Sequence, residues 1–380
     1  VVVPNDPIHL YEQAGYDNLR AYFNPTGLFT EVVVLSPLEP ETRRAFGMEI
    51  CPVDEGGFGR ALAVLHPNVV RAYAGDWPSD LVCRHRLPSV PVVVSVHDRS
   101  RARMHESLRY ADMVICVSEA VAEGVVASGV DPARVRLLPN RVDTTVFRPV
   151  PHATAPAAID RRVPPGWHLL HIGRKVVEKN LDTVIRALAV LGPEYSCVFI
   201  GLGDAAPFQR LAEELGVAAR CVWIDAVKNS ELPAWYCWCD CFCVPSRSEG
   251  FGTVFIEAAA CGAAIVTSDL PPMNCYLTDG DSACLVKEFT SAEALAASVR
   301  RVCTDAAYRE RLREGARRAA AKFDRTQVEG EEAELYREAL SLPPPPLARR
   351  AAIAQWKLRA SVEPHLRRLR SAVRDRFACS

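Results

Sequence analysis

The sequence predicts an α/β protein built from two doubly wound domains that face a cleft. Three observations carry this. Short apolar, β-branched runs alternate with helical patterns along most of the 380 residues, and continuous apolar strands imply parallel sheets covered on both faces. The alternation breaks at PVPHATAPAAIDRRVPPG, residues 149–166, whose proline and alanine content is that of a linker, and then restarts. The chain is also long for a single core.

The first series of strands reads VVVP at 1–4, EVVVL at 31–35, VVVSVH at 92–97, MVICVS at 113–118 and VRLLP at 135–139. A helix-like segment from Glu119 to Ser128 follows Ser118, a side chain suited to an N-cap. The second series reads HLLHIG at 168–173, CVFIG at 197–201, CVWI at 221–224, CFCV at 241–244 and AAIVTS at 263–268. The expected division is a first domain over 1–150, a second over 151–340, and a proline-led tail over 341–380. In that tail PPPP at 343–346 ends any helix, and residues 347–380 carry nine Lys/Arg against Glu363 and Asp375. Val362, Leu366, Leu369, Val373 and Phe377 recur at three or four residues as an apolar stripe, with Arg367, Arg368, Arg370 and Arg374 mostly beside it.

Composition narrows the function classes. Hydrophobic residues make up 49% and charged residues 24%, ordinary for a globular enzyme. A formal net charge of −1 provides no basic field for nucleic acid. No apolar run has transmembrane length and no signal-peptide pattern opens the chain, so the fourteen cysteines are expected to be reduced and the protein cytosolic. CWCDCFC places sulfurs at 237, 239, 241 and 243. That spacing is read as strand alternation in a core and not as a zinc site, which favours ligand pairs two to four residues apart from two loops.

Two segments carry the chemistry. PSRSEGFGTVFIEAAACG, 245–262, follows strand CFCV and sets Glu249 and Glu257 on either side of a Gly-x-Gly turn. In doubly wound folds, ligands bind beyond the carboxyl ends of the strands, where helix N-termini point inward. Gly250 and Gly252 permit close backbone approach, free N–H groups before Thr253 favour an anion, and Glu257 lies one turn into the helix on the face of Thr253. A phosphate-bearing sugar fits: amides for the phosphate, carboxylates for vicinal hydroxyls. The plain alternative is a glycine turn with two solvated glutamates. HIGRKVVEKNLD places Gly173 after a strand, Asn180 as a helix cap, and Arg174 and Lys179 in the loop between them, where two cations would neutralise a diphosphate. Lys175 is a third cation of undetermined side.

GRKVVEKNLD, PNRVDTTVFRP at 139–149 and PSRSEGFGTVFIEAAACG together resemble glycosyltransferase family 4, over residues 90–340. The spacing of Glu249 and Glu257 is similar to that family's E-x7-E motif. The resemblance implies a GT-B fold of two Rossmann-like domains and a retaining transferase moving a hexose from a nucleotide-diphospho-sugar, UDP- or GDP-linked, to a sugar, lipid-linked or small-molecule hydroxyl. It implies that Arg174 and Lys179 contact the diphosphate, with Gly173, Gly250 and Thr253 alongside. Glu257 would bind the ribose, and Glu249 with the backbone of Phe251 and Gly252 would hold the sugar. It places His97 near the donor sugar, followed by Asp98. It implies no metal and no cofactor beyond the nucleotide-sugar. The family's glycine-rich loop has only Gly15 and Gly27 to represent it, so Gly15 is the acceptor-side expectation. Arg141 stands where the family usually has glycine, and PNRVD is read as a hinge. An epimerase on the same fold and a non-catalytic nucleotide-sugar binder are the alternatives. Lipid-linked acceptors suggest peripheral membrane contact through 347–380; packing of that tail on the N-terminal domain or on another subunit is the competing expectation.

Overall fold

The computed structural model describes residues 1–16, 18–150, 156 and 163–360. Eight strands form the first sheet: β1 Val2–Val3, β2 Val33–Ser36, β3 Arg43–Ala45, β4 Met48–Pro52, β5 Val70–Ala72, β6 Val92–Val96, β7 Met113–Cys116 and β8 Val135–Leu137. Their spatial order is β3-β4-β2-β1-β5-β6-β7-β8, parallel throughout except the β3–β4 hairpin. Six strands form the second sheet: β9 Trp167–Ile172, β10 Tyr195–Ile200, β11 Cys221–Ile224, β12 Cys241–Val244, β13 Ile265–Ser268 and β14 Cys284–Val286. They are ordered β11-β10-β9-β12-β13-β14 and pair in parallel. The order reverses between β9 and β12, the switch point beyond which an open parallel sheet binds ligands. Both carrying loops of the sequence motifs leave those two strands.

The expected strands form, and four are added. β3, β4, β5 and β14 are short or interrupted by polar residues; β5 reads VRA and buries Arg71 completely. A charge inside a three-residue strand gives no apolar signal, because what stabilises it lies elsewhere in the chain. Ser118 caps the Glu119–Ala127 helix by accepting from the Val121 amide. Asn180 does not act as expected. It holds the cap position of the Leu181–Val190 helix in a left-handed conformation, φ +57°, but makes no side-chain cap bond. Its amide instead donates to the Pro245 and Phe289 carbonyls at 2.8 and 2.9 Å, tying the two motif loops together.

The cysteine ladder divides. Cys241 and Cys243 are buried on β12 as alternation requires, whereas Cys237 lies on the Leu232–Trp238 helix and Cys239 caps it. The four sulfurs therefore belong to two elements and do not share one strand face.

The division into domains also differs from the contiguous expectation. The first sheet ends at Leu137 and the second begins at Trp167, but the Arg325–Ser341 helix returns to the first domain. Val328, Tyr336 and Ala339 of that helix bury with Val69, Val93, Met113, Ile115 and Leu138. The two crossings lie side by side, with the Val142 amide donating to the Phe323 carbonyl and the Arg325 amide to the Val142 carbonyl, both at 2.9 Å. Residues 347–360 are helical and dock on the first domain as well. Trp356 stacks on Tyr110 at 4.7 Å and donates to Glu106, while Arg349 pairs with Asp112 at 3.2 Å. The stripe from Val362 to Phe377, with Arg367, Arg368, Arg370 and Arg374, lies outside the described residues. Among the described residues no helix is long and apolar enough to cross a membrane.

Candidate active site

The loop after β12 is held from both sides. The Glu249 carboxylate accepts from Lys179 Nζ at 2.5 Å and from Ser246 Oγ at 2.7 Å. Lys179 leaves the loop after β9, so the pair joins the two strands at the switch point. Gly173 lies under the lysine stem: a Cβ there would come within 3.3 Å of it. Beneath, His171 on β9 bonds the Lys179 carbonyl through Nε2 at 3.0 Å, and burial lowers its pKa to about 4, so it is neutral. Arg174 is exposed and free to meet a ligand. Lys175 turns the other way. Its ammonium is buried against the Gly201 and Ile224 carbonyls, where it holds the sheet edge and does not face the cleft.

Gly250 is where the domains touch. Its carbonyl accepts from Ser118 Oγ at 2.6 Å, and a Cβ on it would lie 1.9 Å from the His97 carbonyl oxygen. No side chain fits that gap. Gly250→Ala is therefore expected to force the domains apart at this contact, lowering turnover by about two orders of magnitude with the melting temperature nearly unchanged. Turnover within threefold of wild type would show that this approach is dispensable.

Gly252 has φ +84°, a conformation that glycine adopts without strain, and it delivers the chain into the Thr253–Ala260 helix. The first amides of that helix have no intrahelical acceptor and carry the positive end of its dipole. Phe251 stacks on Tyr276 at 5.1 Å and its carbonyl accepts from the Tyr276 hydroxyl at 2.8 Å, which fixes the turn. Thr253 Oγ1 accepts from Asn140 Nδ2 at 2.9 Å. Glu257 is only 8% exposed, and its Oε2 accepts from the Tyr236 hydroxyl at 2.9 Å. Burial raises its pKa to about 7, against the opposing hydrogen bonds of Tyr236 and Asn229. Neither glutamate is a solvated surface acid.

His97 follows β6, half-buried, with its ring stacked 6.4 Å from that of Tyr73. Burial, then the charges of Arg71 and Arg141, lower its pKa to about 4, with a hydrogen bond to Asn140 opposing. The imidazole is neutral at pH 7, able to donate one hydrogen bond without adding charge. Asp98 is engaged by its own loop, accepting from the Ser100 amide at 2.8 Å and lying 3.6 Å from Arg103. Gly15, with φ +75°, reaches the second domain: its Cβ position is 3.1 Å from Lys228, and the neighbouring Ala14 carbonyl accepts from the Asn229 amide at 3.0 Å.

Several residues of this site went unread in the sequence. Asn140 sits inside PNRVD, taken there only as a hinge, yet its side chain donates to Thr253 across the two domains. Arg141 is more than a hinge marker. It pairs with Glu332 at 2.5 Å and lies 4.3 Å over the Tyr22 ring, while Arg71 reaches the same carboxylate at 3.2 Å. Tyr236 looks like core filling in sequence, and only its distance from Glu257 reveals the second role.

Comparison with known proteins identifies the family and the fold. Residues 32–146 match the profile described as Glycosyltransferase Family 4, and residues 162–319 match Glycosyl transferases group 1. The D-inositol 3-phosphate glycosyltransferases of Mycobacterium tuberculosis and Mycobacterium bovis are 34% identical over 190 residues, which cover 46% of this chain and 38% of theirs. The match thus spans well under half the length of those curated relatives. Sucrose-phosphate synthase from Thermosynechococcus elongatus superposes with a TM-score of 0.73 at 19% identity, covering 89% of this chain and 98% of that one. Anabaena HepE in complex with UDP-glucose gives 0.73 at 16% identity, covering 89% and 99%. WaaG, a glycosyltransferase involved in lipopolysaccharide biosynthesis, gives 0.63 at 18% identity, covering 88% and 99%. At such identities the likeness is one of fold, and the fold is GT-B. Each domain matches its own profile, and the chain belongs to the family 4 glycosyltransferases.

Proposed function

We propose that this chain transfers a hexosyl group from a nucleotide-diphospho-sugar to a hydroxyl of a sugar, lipid-linked or small-molecule acceptor, with retention of anomeric configuration. The observation that carries the reading is the meeting of Lys179, Glu249, the Gly252–Thr253 helix start, Glu257 and His97 at one interdomain cleft. Lys179, Arg174 and the helix amides face the diphosphate and stabilise the charge it gains on leaving. Glu249 and the amides of Phe251 and Gly252 hold the sugar hydroxyls, and Glu257 accepts from the ribose. Neutral His97 donates to the sugar. Glu249, held by Lys179 and Ser246, is assigned to binding the sugar and not to acting as a covalent nucleophile. The C1–O bond to phosphate breaks on the face where the acceptor oxygen bonds to C1, and the departing phosphate oxygen takes the acceptor's proton. The acceptor enters along the first domain, past Gly15 and Asp98.

HepE's complex with UDP-glucose makes UDP the first nucleotide to try. Thermal shift against UDP, GDP and ADP tests the site, since a ligand at a hundred times its Kd adds about 2.7 kcal/mol. Acceptor-dependent release of the nucleoside diphosphate, with the product anomer read by NMR, tests the reaction. A donor altered without acceptor would mark an epimerase; one bound but never turned over would mark a binder. With the positive field supplied by Lys179, Arg174 and the helix, EDTA is expected to leave the rate within twofold of the untreated enzyme.

Membrane contact belongs to the same proposal. Residues 347–360 are docked on the first domain, so the contact is assigned to 361–380, with its basic side chains beside an apolar stripe. Truncation after Ala360 should leave the protein folded and active on a soluble acceptor but unable to bind anionic vesicles. Vesicle binding equal to that of the full chain would overturn the assignment.

A further inference from the structure

We infer that Tyr236 is a positioning residue that holds the Glu257 carboxylate, and that the turn leading into its helix is braced against the first domain. The inference rests on the nucleotide-sugar reading above. Tyr236, fully buried on the Leu232–Trp238 helix, donates its hydroxyl to Glu257 Oε2 at 2.9 Å. Asn229 begins the turn that leads into that helix. Its backbone amide donates to the Ala14 carbonyl at 3.0 Å, and Gly15 packs on the side chain of Lys228. The turn before the Tyr236 helix therefore rests on the opposite domain.

The Tyr236 hydrogen bond decides whether Glu257 can work. Burial lifts its pKa to about 7, so at neutral pH the acid is only partly ionised, and only the ionised form accepts from both ribose hydroxyls. The titratable groups coupled to it among the described residues are Tyr236, Tyr16 on the first domain's loop, and Cys261 at the end of its own helix. None of them is a cation. Glu249 has a lysine; for Glu257 a neutral donor, Tyr236, takes that place. Remove it and the carboxyl holds its proton to higher pH.

The test is UDP affinity by calorimetry from pH 6 to 9 in the wild type, Tyr236→Phe and Glu257→Gln. Wild-type affinity should rise through about pH 7 and level above it. Tyr236→Phe should move that midpoint upward by about one unit and weaken binding about fivefold at pH 7. Added to Glu257→Gln, Tyr236→Phe should cost less than a further twofold. An unmoved midpoint with additive losses would overturn the inference and leave Tyr236 as packing. If neither UDP nor GDP binds the wild type, the proposed function fails separately, and Glu257 is read without ligand. Its folded pKa lies above the unfolded value, so stability falls as pH rises from about 4.5 to about 7, and Glu257→Gln abolishes that fall. The gap in Tm between the two proteins then tracks ionisation. In the Tyr236→Phe background it must level off at higher pH, or the inference is wrong.

Discussion

Lys179→Ala is expected to lower kcat by about 10²–10³-fold, the loss typical of removing one preorganised group from a developing charge. The expectation exceeds that for a simple phosphate contact because of what the lysine leaves behind. Its ammonium lies 2.5 Å from Glu249, a residue 9% exposed, and so neutralises a carboxylate beside the diphosphate site. Without it, a nearly buried anion faces an anionic leaving group that is gaining charge. The effect falls on the chemical step and grows as the bond breaks, so kcat should drop more than donor KM rises. A change confined to KM would reassign Lys179 to ground-state binding. Arg174→Lys should be milder yet still harmful, because a lysine cannot reproduce the two-pronged guanidinium contact with phosphate.

Glu332→Ala is expected to destabilise the protein by about 3–5 kcal/mol, the cost of stranding a buried charge. Glu332 and Arg71 are each 2% exposed, and one carboxylate serves both Arg71 and Arg141. Ser95 Oγ and the Tyr22 carbonyl would still accept from the two guanidiniums, but neither neutralises a charge, and Glu329 is 3.9 Å away. Urea unfolding measures the loss. The network also reaches the site, since both arginines act on His97. A loss below about 1 kcal/mol would show that water or Glu329 compensates the pair.

Much of this protein could be read locally. β9 and β12 were visible as apolar runs, and the turns after them as glycine, cation and carboxylate clusters at fixed spacing. Glu249 or Glu257 taken alone reads as a solvated acid; the neighbouring motifs argue otherwise, but the groups that bury them lie far along the chain. Lys179 holds one and Tyr236 the other. CWCDCFC shows the same limit at short range. A spacing of two suits a strand, yet a helix occupies the first half because Trp235 and Tyr236 bury against the second domain.

The amino-acid order alone determined the two alternations, the linker, the helix starts at Ser118 and Gly252, and the family to which the motifs belong. These depend on backbone preference and on periodicity within a few residues. Tertiary structure alone decided that Arg71 could enter a strand, that Asn140 reaches Thr253, that the Arg325–Ser341 helix returns to the first domain, and that Gly250 must lack a side chain. Each of these depends on a contact between residues far apart in sequence. Burial there leaves a charge or a backbone oxygen with one partner or none, and the energy of that choice is set by the fold and not by neighbours along the chain.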